Sequence, residues 1–183
     1  MSAFTESERQ EMLSSLLSSR DLFLSALAGV SEEQGAIRIS PDCWTIRDCV
    51  EHVASAERLM LRSIEKAPAT GAYANPARDQ ATRQGMLDRT RKRIAPEMVK
   101  PSGRFCSLGE AIESFCQHRQ RTIAFVEQTQ EDLRQRCIDH PLLGPIDGYQ
   151  LLLAMVLHPQ RHAAQIEEIK ASSTFRSLAA AAS

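Results

Sequence analysis

Four long stretches of this sequence carry apolar residues at intervals of three and four, which is the spacing of one face of an α-helix. Strand-like alternation is scarce, so this spacing restricts the chain to a mostly helical fold. It predicts helices over about 5–27, 45–66, 107–126 and 149–170. Four amphipathic helices of this length favour an all-α fold, a four-helix bundle.

Two of the predicted helices begin at capping-box patterns. TESE (5–8) precedes the first and SLGE (107–110) precedes the third. In such a pattern a Ser or Thr side chain and a Glu side chain bond the free backbone N–H groups of the first turn. The two patterns therefore favour helix starts near Thr5 and Ser107.

Prolines and glycines separate the helices and suggest their order in space. The link between the first two helices is short enough for antiparallel neighbours. About forty residues separate the second helix from the third, enough for a long crossover along the bundle, with a short polar helix expected at about 77–94. HPLLGPIDG (140–148) is predicted to be a loop, because its prolines and glycines block a regular helix.

The chain length sets the domain count. With 183 residues, one domain with a sizeable core is expected, spanning 1–170. The small and polar residues 171–183 are expected to form a flexible C-terminal tail.

Charge and cysteine content exclude several classes of protein. The net charge of −1 gives no general attraction to nucleic acid or to anionic membranes. The basic run 83–93 is interrupted by Asp88 and lacks aromatic residues, so it is interpreted as a solvated helix face. The N-terminus does not resemble a signal peptide, and the apolar run 151–157 is too short to cross a bilayer. Five cysteines without CxxC spacing suggest reduced thiols in the cytoplasm.

Three histidines are predicted to face the interior of the bundle. His158 and His162 are four residues apart in the apolar stripe of the fourth helix, so their Cβ atoms are expected ~5–6 Å apart. His52 lies in the stripe of the second helix beside small residues. Three inward imidazoles could bind one divalent metal ion and leave further coordination positions for water or substrate, as in catalytic sites.

The same histidines could instead be hydrogen-bonded core residues, and spacing alone leaves both interpretations open. HPQRH (158–162) has Pro159 where a zinc protease has the Glu of HExxH, so protease chemistry is not supported. Pro159 is expected to kink the helix, either re-aiming His158 or spoiling the three-histidine arrangement. No carboxylate stands out as a partner for the histidines, because Glu51 and Glu57 are predicted to point away from His52.

Other residues receive weaker assignments. Cys49, one turn from His52, could be a metal ligand or a thiol near the metal, but it is better interpreted as a small buried filler. His140 could reach the site from its loop or could cap that loop, with the cap slightly favoured. Trp44 is expected to anchor the start of the second helix in the core, while Cys116 and His118 are interpreted as packing or surface residues.

Three segments in order resemble the DinB/YfiT-like family of bacterial stress-associated proteins. They are WTIRDCVEHVASAE (44–57), FCSLGEAIESFCQHRQRTIAFV (105–126) and HPLLGPIDGYQLLLAMVLHPQRHAAQIEEI (140–169). The last resembles the family's His-Pro-x-x-Gly loop and its H-x-x-x-H pattern followed by Gln-Ile. Each motif is weak alone, and the ordered set is fairly specific; Pro159 departs from the usual pattern.

The resemblance implies a four-helix bundle with a long crossover between its second and third helices. It also implies a divalent metal, often nickel or zinc, bound by the residues that match the family's ligands: His52, His158 and His162. Family members often form homodimers. Those with known activity are mostly transferases or isomerases that use low-molecular-weight thiols.

Two hypotheses of function follow. In the first, the chain is a metal-dependent enzyme, a thiol-dependent transferase or isomerase or a hydrolase, acting on a small electrophilic substrate. A small thiol would be its cosubstrate in the transferase case, and no catalytic side chain beyond the ligands is identified. In the second, it is a non-catalytic helical binding or scaffold module of a stress response, with a vestigial or empty metal site.

Overall fold

Long helices dominate the part of the chain that the computed structural model describes, which is residues 4–71, 75–90 and 93–181. Four of them exceed twenty residues and correspond to the four predicted helices. In chain order the helices are α1 (Glu6–Leu27), α2 (Glu32–Gly35), α3 (Ile46–Lys66), α4 (Arg78–Leu87), α5 (Leu108–Gln128), α6 (Gly148–Ala171) and α7 (Ser173–Ala181). The all-α four-helix bundle predicted from the sequence is confirmed.

Side-chain caps set the starts of the long helices. The capping box predicted at Thr5 is present, with the Thr5 side chain accepting from Glu8 N and the Glu8 side chain accepting from Thr5 N. Ser107 caps α5 by accepting from Glu110 N, but the Glu110 carboxylate bonds Cys106 N instead of closing the box. Thr45 starts α3 with a complete capping box that includes Asp48.

The four long helices occupy the corners of the bundle in an order that differs from the simplest expectation. Helices α1 and α3 each pack against α5 and α6, so α1 and α3 lie at opposite corners. The prediction that the first two long helices are antiparallel neighbours is therefore wrong. The link between them is long enough to cross the end of the bundle, and its helix α2 contacts α3, α5 and α7.

The crossover between α3 and α5 is present as expected, and its helix α4 packs along α6. The Arg161 guanidinium donates to the carbonyl of Met86 at 3.2 Å, and Arg89 pairs with the Glu168 carboxylate. The polar helix predicted over 77–94 ends at Leu87. Residues 91–92 of that prediction lie outside the described residues.

A short β-hairpin replaces much of the loop predicted at 140–148. Strand β1 (Cys137–His140) pairs antiparallel with β2 (Gly144–Asp147). Gly144 has φ +70°, a conformation that glycine adopts without strain, where the chain leaves the turn. Two four-residue strands, one carrying a proline, are too short to give a clear alternating pattern.

The centre of the bundle contains a buried ion pair between Arg119 and Glu57. The Arg119 guanidinium donates to both Glu57 carboxylate oxygens, at 2.8 and 2.9 Å, and to the carbonyls of Leu16 and Met155, at 2.9 Å each. It also donates to the Ser19 hydroxyl at 2.7 Å. All five N–H donors of the guanidinium are thereby used. One side chain therefore links α1, α3, α5 and α6.

The C-terminal residues form more structure than the sequence suggests. Residues 173–181 are helical in α7, and Phe175 is 7% exposed in the same core cluster as Phe23 and Phe115. This differs from the flexible tail predicted over 171–183. Phe175 packs into the core, but a single aromatic residue among small and polar neighbours gives no clear helical pattern in the sequence. Within the described residues, the helices are too short or too polar to cross a membrane.

Candidate metal centre

The structure brings the three predicted histidines together inside the bundle. Helix α3 provides His52, and α6 provides His158 and His162 one turn apart. One ring nitrogen from each lies within 4.8 Å of the other two, and the Nε2 atoms of His52 and His158 are 3.0 Å apart. The ring centroids are separated by 4.7 to 4.9 Å. Within the described part of the chain, this is the group of His, Cys, Asp and Glu side chains arranged to hold a metal ion.

Two of the rings are held in a defined tautomer. His52 Nδ1 lies 2.8 Å from the Val99 carbonyl oxygen, and His162 Nδ1 lies 3.0 Å from the Gln165 side-chain oxygen. Because both oxygens can only accept, each Nδ1 carries the proton and donates it. Each Nε2 of these two rings therefore carries a lone pair, and that of His52 accepts a hydrogen bond from His158 Nε2 at 3.0 Å. Hydrogen bonds from the opposite ring nitrogen, like those at Nδ1, are usual for metal-binding histidines.

Burial keeps these rings neutral. Desolvation lowers the pKa of His52, and it lowers the pKa of His158 and of His162 well below the usual value for histidine. The neighbouring histidines and the guanidinium of Arg161 lower the pKa of His158 and His162 further. A metal ligand must be the neutral imidazole, so the environment maintains the form that coordinates.

The donor set fits a divalent transition-metal ion. Imidazole nitrogens suit zinc, nickel, copper and iron, whereas calcium and magnesium prefer oxygen. A separation of 3.0 Å between two nitrogens can be bridged by one ion at ~2.0–2.1 Å from each. Three protein ligands leave further positions for water or substrate, which distinguishes catalytic from closed structural sites.

Trp44 forms one wall of the cluster rather than serving only as a core anchor. Its ring lies 4.8 Å from that of His52 and is nearly parallel to that of His162, at 6.1 Å. Trp44 also lines a cavity of about 300 Å³, and none of the three histidines lines that cavity. The other residues that line this cavity are Arg38, Pro41, Asp42, Cys43, Asp48 and Pro101.

The weaker candidates are not part of the histidine cluster. Cys49 is fully buried in the apolar core, and burial raises the pKa of its thiol, which keeps it protonated. The Nδ1 atom of His140 accepts from Leu142 N and Leu143 N, at 3.2 Å each, so this ring caps the hairpin turn. Cys116 and His118 are partly buried on α5.

The carboxylates near His52 bond other partners, as their predicted direction suggests. The Glu51 carboxylate accepts from the backbone N–H groups of Ser102, Gly103 and Arg104. Glu57 pairs with Arg119. Both glutamates are nonetheless almost fully buried, which the sequence does not indicate.

Sequence reasoning missed the groups that orient the rings. The role of Gln165 could have been found from its position three residues after His162, where helical side chains meet. The Val99 carbonyl has no comparable signal, because it belongs to an irregular segment of the crossover. Arg119 stands in an arginine-containing helix, but its partner Glu57 is distant in sequence.

Fold and site together define a four-helix bundle protein with a buried cluster of three histidines. The chain belongs to the DinB superfamily, whose family model matches residues 15–166. A solved structure, YfiT from Bacillus subtilis, has the same fold, with a TM-score of 0.59, 15% sequence identity, and coverage of 93% of this chain and 90% of that chain. YfiT is described as a probable metal-dependent hydrolase with an unusual four-helix bundle topology. No curated protein sequence gives a significant match to this chain.

Proposed function

We propose that this protein is a divalent-metal-dependent enzyme in which His52, His158 and His162 bind the ion. The observation that supports it is the convergence of three buried imidazoles, of which His52 and His162 have their Nδ1 protons engaged elsewhere. The proposed ion is nickel or zinc, because a set of nitrogen ligands suits both.

The proposed substrate is small and electrophilic. A divalent ion in this site would supply Lewis acidity and would lower the pKa of a water or thiol bound beside it. Since the cluster contains no carboxylate or thiolate among the described residues, the protein ligands leave the ion's charge uncompensated. The site is therefore suited to an anionic nucleophile.

Hydrolysis and thiol transfer are both compatible with such a site. Likeness to YfiT, a probable metal-dependent hydrolase, favours hydrolysis. The family resemblance favours a transferase or isomerase that takes a low-molecular-weight thiol as cosubstrate.

We also propose a cytoplasmic homodimer, an assembly supported by the family resemblance alone. Light scattering during gel filtration measures the mass in solution against the 20.4 kDa of one chain. A mass of one chain across the micromolar range would contradict the dimer.

Substitution with Co²⁺ tests whether the proposed site is open. Metal-depleted protein without a His tag is loaded with Co²⁺, and its visible absorption is recorded before and after addition of azide or of a small thiol. An open three-histidine site is expected to change its spectrum with both reagents, and a thiol is expected to add a charge-transfer band.

A matched variant separates this site from adventitious cobalt. His162→Ala should lose the bound Co²⁺ signal, whereas His118→Ala, on the outer part of α5, should retain it. If the native protein binds Co²⁺ but neither reagent alters the spectrum, the site is closed and the enzyme proposal fails in favour of a structural metal. If it binds no Co²⁺, the non-catalytic hypothesis gains support.

A further inference from the structure

Pro159 removes a hydrogen-bond donor in the middle of the helix that carries two of the histidines. Helix α6 runs without a break from Gly148 to Ala171, with Pro159 inside it. A proline has no N–H, so the carbonyl four residues earlier, that of Met155, has lost its usual helical donor. Met155 is fully buried, and a buried carbonyl without a partner is costly.

Arg119 supplies the missing donor from another helix. Its Nη2 atom lies 2.9 Å from the Met155 carbonyl oxygen. The guanidinium is completely buried, and it donates two hydrogen bonds to the Glu57 carboxylate. The donor is therefore fixed in place, in contrast to a water molecule or a mobile side chain.

His158 depends on this backbone contact more than the other two histidines do. His52 and His162 are oriented through their Nδ1 atoms by Val99 and Gln165. Within the described residues, the ring of His158 is hydrogen-bonded only to His52 Nε2. Its position consequently rests on the helical turn between Met155 and Pro159, and a residue before proline is biased away from the α conformation.

We propose that Arg119 is a positioning residue for His158: by replacing the donor that Pro159 lacks, it keeps that turn helical and the His158 ring beside those of His52 and His162. This inference rests on the proposed metal binding. It assigns to Arg119 a role beyond holding the helices together, and it accounts for the presence of a proline between two metal ligands.

A double-mutant cycle between Arg119 and Pro159 tests the inference. The dissociation constant for Zn²⁺ is measured by chelator competition for the native protein, Arg119→Met, Pro159→Ala and the double variant, with folding checked by circular dichroism. Arg119→Met is expected to weaken binding by about 10–100-fold, the range typical of groups that orient ligands. In the Pro159→Ala background, where the new backbone N–H at position 159 can bond the Met155 carbonyl, the same change should cost less than about threefold, the mark of coupled sites.

Two further variants keep the result interpretable. Arg134→Met disrupts another arginine network, with Asp79 and Asp147, far along α6 from the histidines. It should lower stability without changing the Zn²⁺ dissociation constant. If Arg119→Met does not fold, Arg119→Lys takes its place, since lysine keeps the charge against Glu57 but cannot reach all the same acceptors.

The outcomes separate this inference from the proposed function. If the native protein binds Zn²⁺ and Arg119→Met binds it equally well, or if Pro159→Ala restores nothing, the inference is wrong and the metal site stands. If the native protein binds no Zn²⁺, the proposed function and this inference are both overturned.

Discussion

At the scale of single residues, the three histidine rings are held by different means. A backbone carbonyl orients His52, a side-chain amide orients His162, and the ring of His158 is hydrogen-bonded to His52 Nε2. All three rings are desolvated, so protonation would place positive charges close together in a low-dielectric interior. The cluster is thus stable only while its imidazoles are neutral.

The metal-free protein should therefore lose stability as the pH falls below neutrality. Each ring has a lowered pKa in the folded chain, so between the unfolded and folded pKa values the unfolded chain binds more protons. The stability is present above the unfolded pKa and declines as the pH falls through about 6.5, by up to about 1.4 kcal/mol per pH unit for each histidine.

Urea unfolding at a series of pH values between about 8 and 5 measures this dependence. A variant with alanine at positions 52, 158 and 162 serves as the control and should show a much flatter profile. An equal slope in the native protein and in this variant would mean that other groups cause the acid sensitivity.

At the scale of elements, the irregular segment 96–104 is hydrogen-bonded to α3 at three points. The Val99 carbonyl accepts from His52, and the Glu51 carboxylate accepts from the three backbone N–H groups of Ser102, Gly103 and Arg104. The Arg104 guanidinium also donates to the Ser55 hydroxyl at 2.7 Å. Helix α3 therefore holds segment 96–104 in place, and this segment in turn orients His52 on α3.

Glu51→Ala should release this segment. The three backbone N–H groups lose a buried charged acceptor, so their amide hydrogens should exchange with solvent faster, and stability should fall by about 1–3 kcal/mol. Hydrogen exchange followed by mass spectrometry over 96–104 provides the measurement. Glu97→Ala, which removes an exposed carboxylate from the same segment, should leave the exchange unchanged. Slow exchange in Glu51→Ala would refute the idea that Glu51 fastens the segment.

Sequence predicts the elements better than it predicts the contacts between them. Caps at Thr5 and Ser107 and the apolar spacing determine helix boundaries locally, and the inward direction of three histidines follows from the same spacing. The hairpin at 137–147 escapes sequence-based prediction because its strands are short. The contact between Val99 and His52 depends on the path of the crossover past α3, and no local sequence pattern determines that path.

At the scale of the whole molecule, one buried arginine joins the four long helices. Arg119 contacts α1, α3 and α6 from its position on α5. Such a buried pair is weak evidence for stability, since desolvation offsets much of the attraction. Its geometry instead favours one arrangement of the helices. The sequence could not reveal this network, because Arg119 and Glu57 meet only once the bundle is assembled.

The C-terminal helix also contributes to the whole fold. Phe175→Ala should lower the free energy of unfolding by about 3 kcal/mol, because it removes a buried aromatic ring from the core. Leu178→Ala, on the same helix but 47% exposed, should have little effect. Chemical unfolding of both variants makes the comparison. Equal stability of Phe175→Ala and the native protein would indicate that residues 171–183 behave as a tail.

The central claim, that three histidines bind one divalent ion, is tested most directly by titration of metal-depleted, untagged protein. Isothermal calorimetry with Zn²⁺ and with Ni²⁺ should give one ion per chain for the native protein. Alanine at position 52, 158 or 162 should abolish that binding, while His140→Ala should leave it intact. Native protein that binds no ion, or alanine variants that bind as the native chain does, would contradict the account.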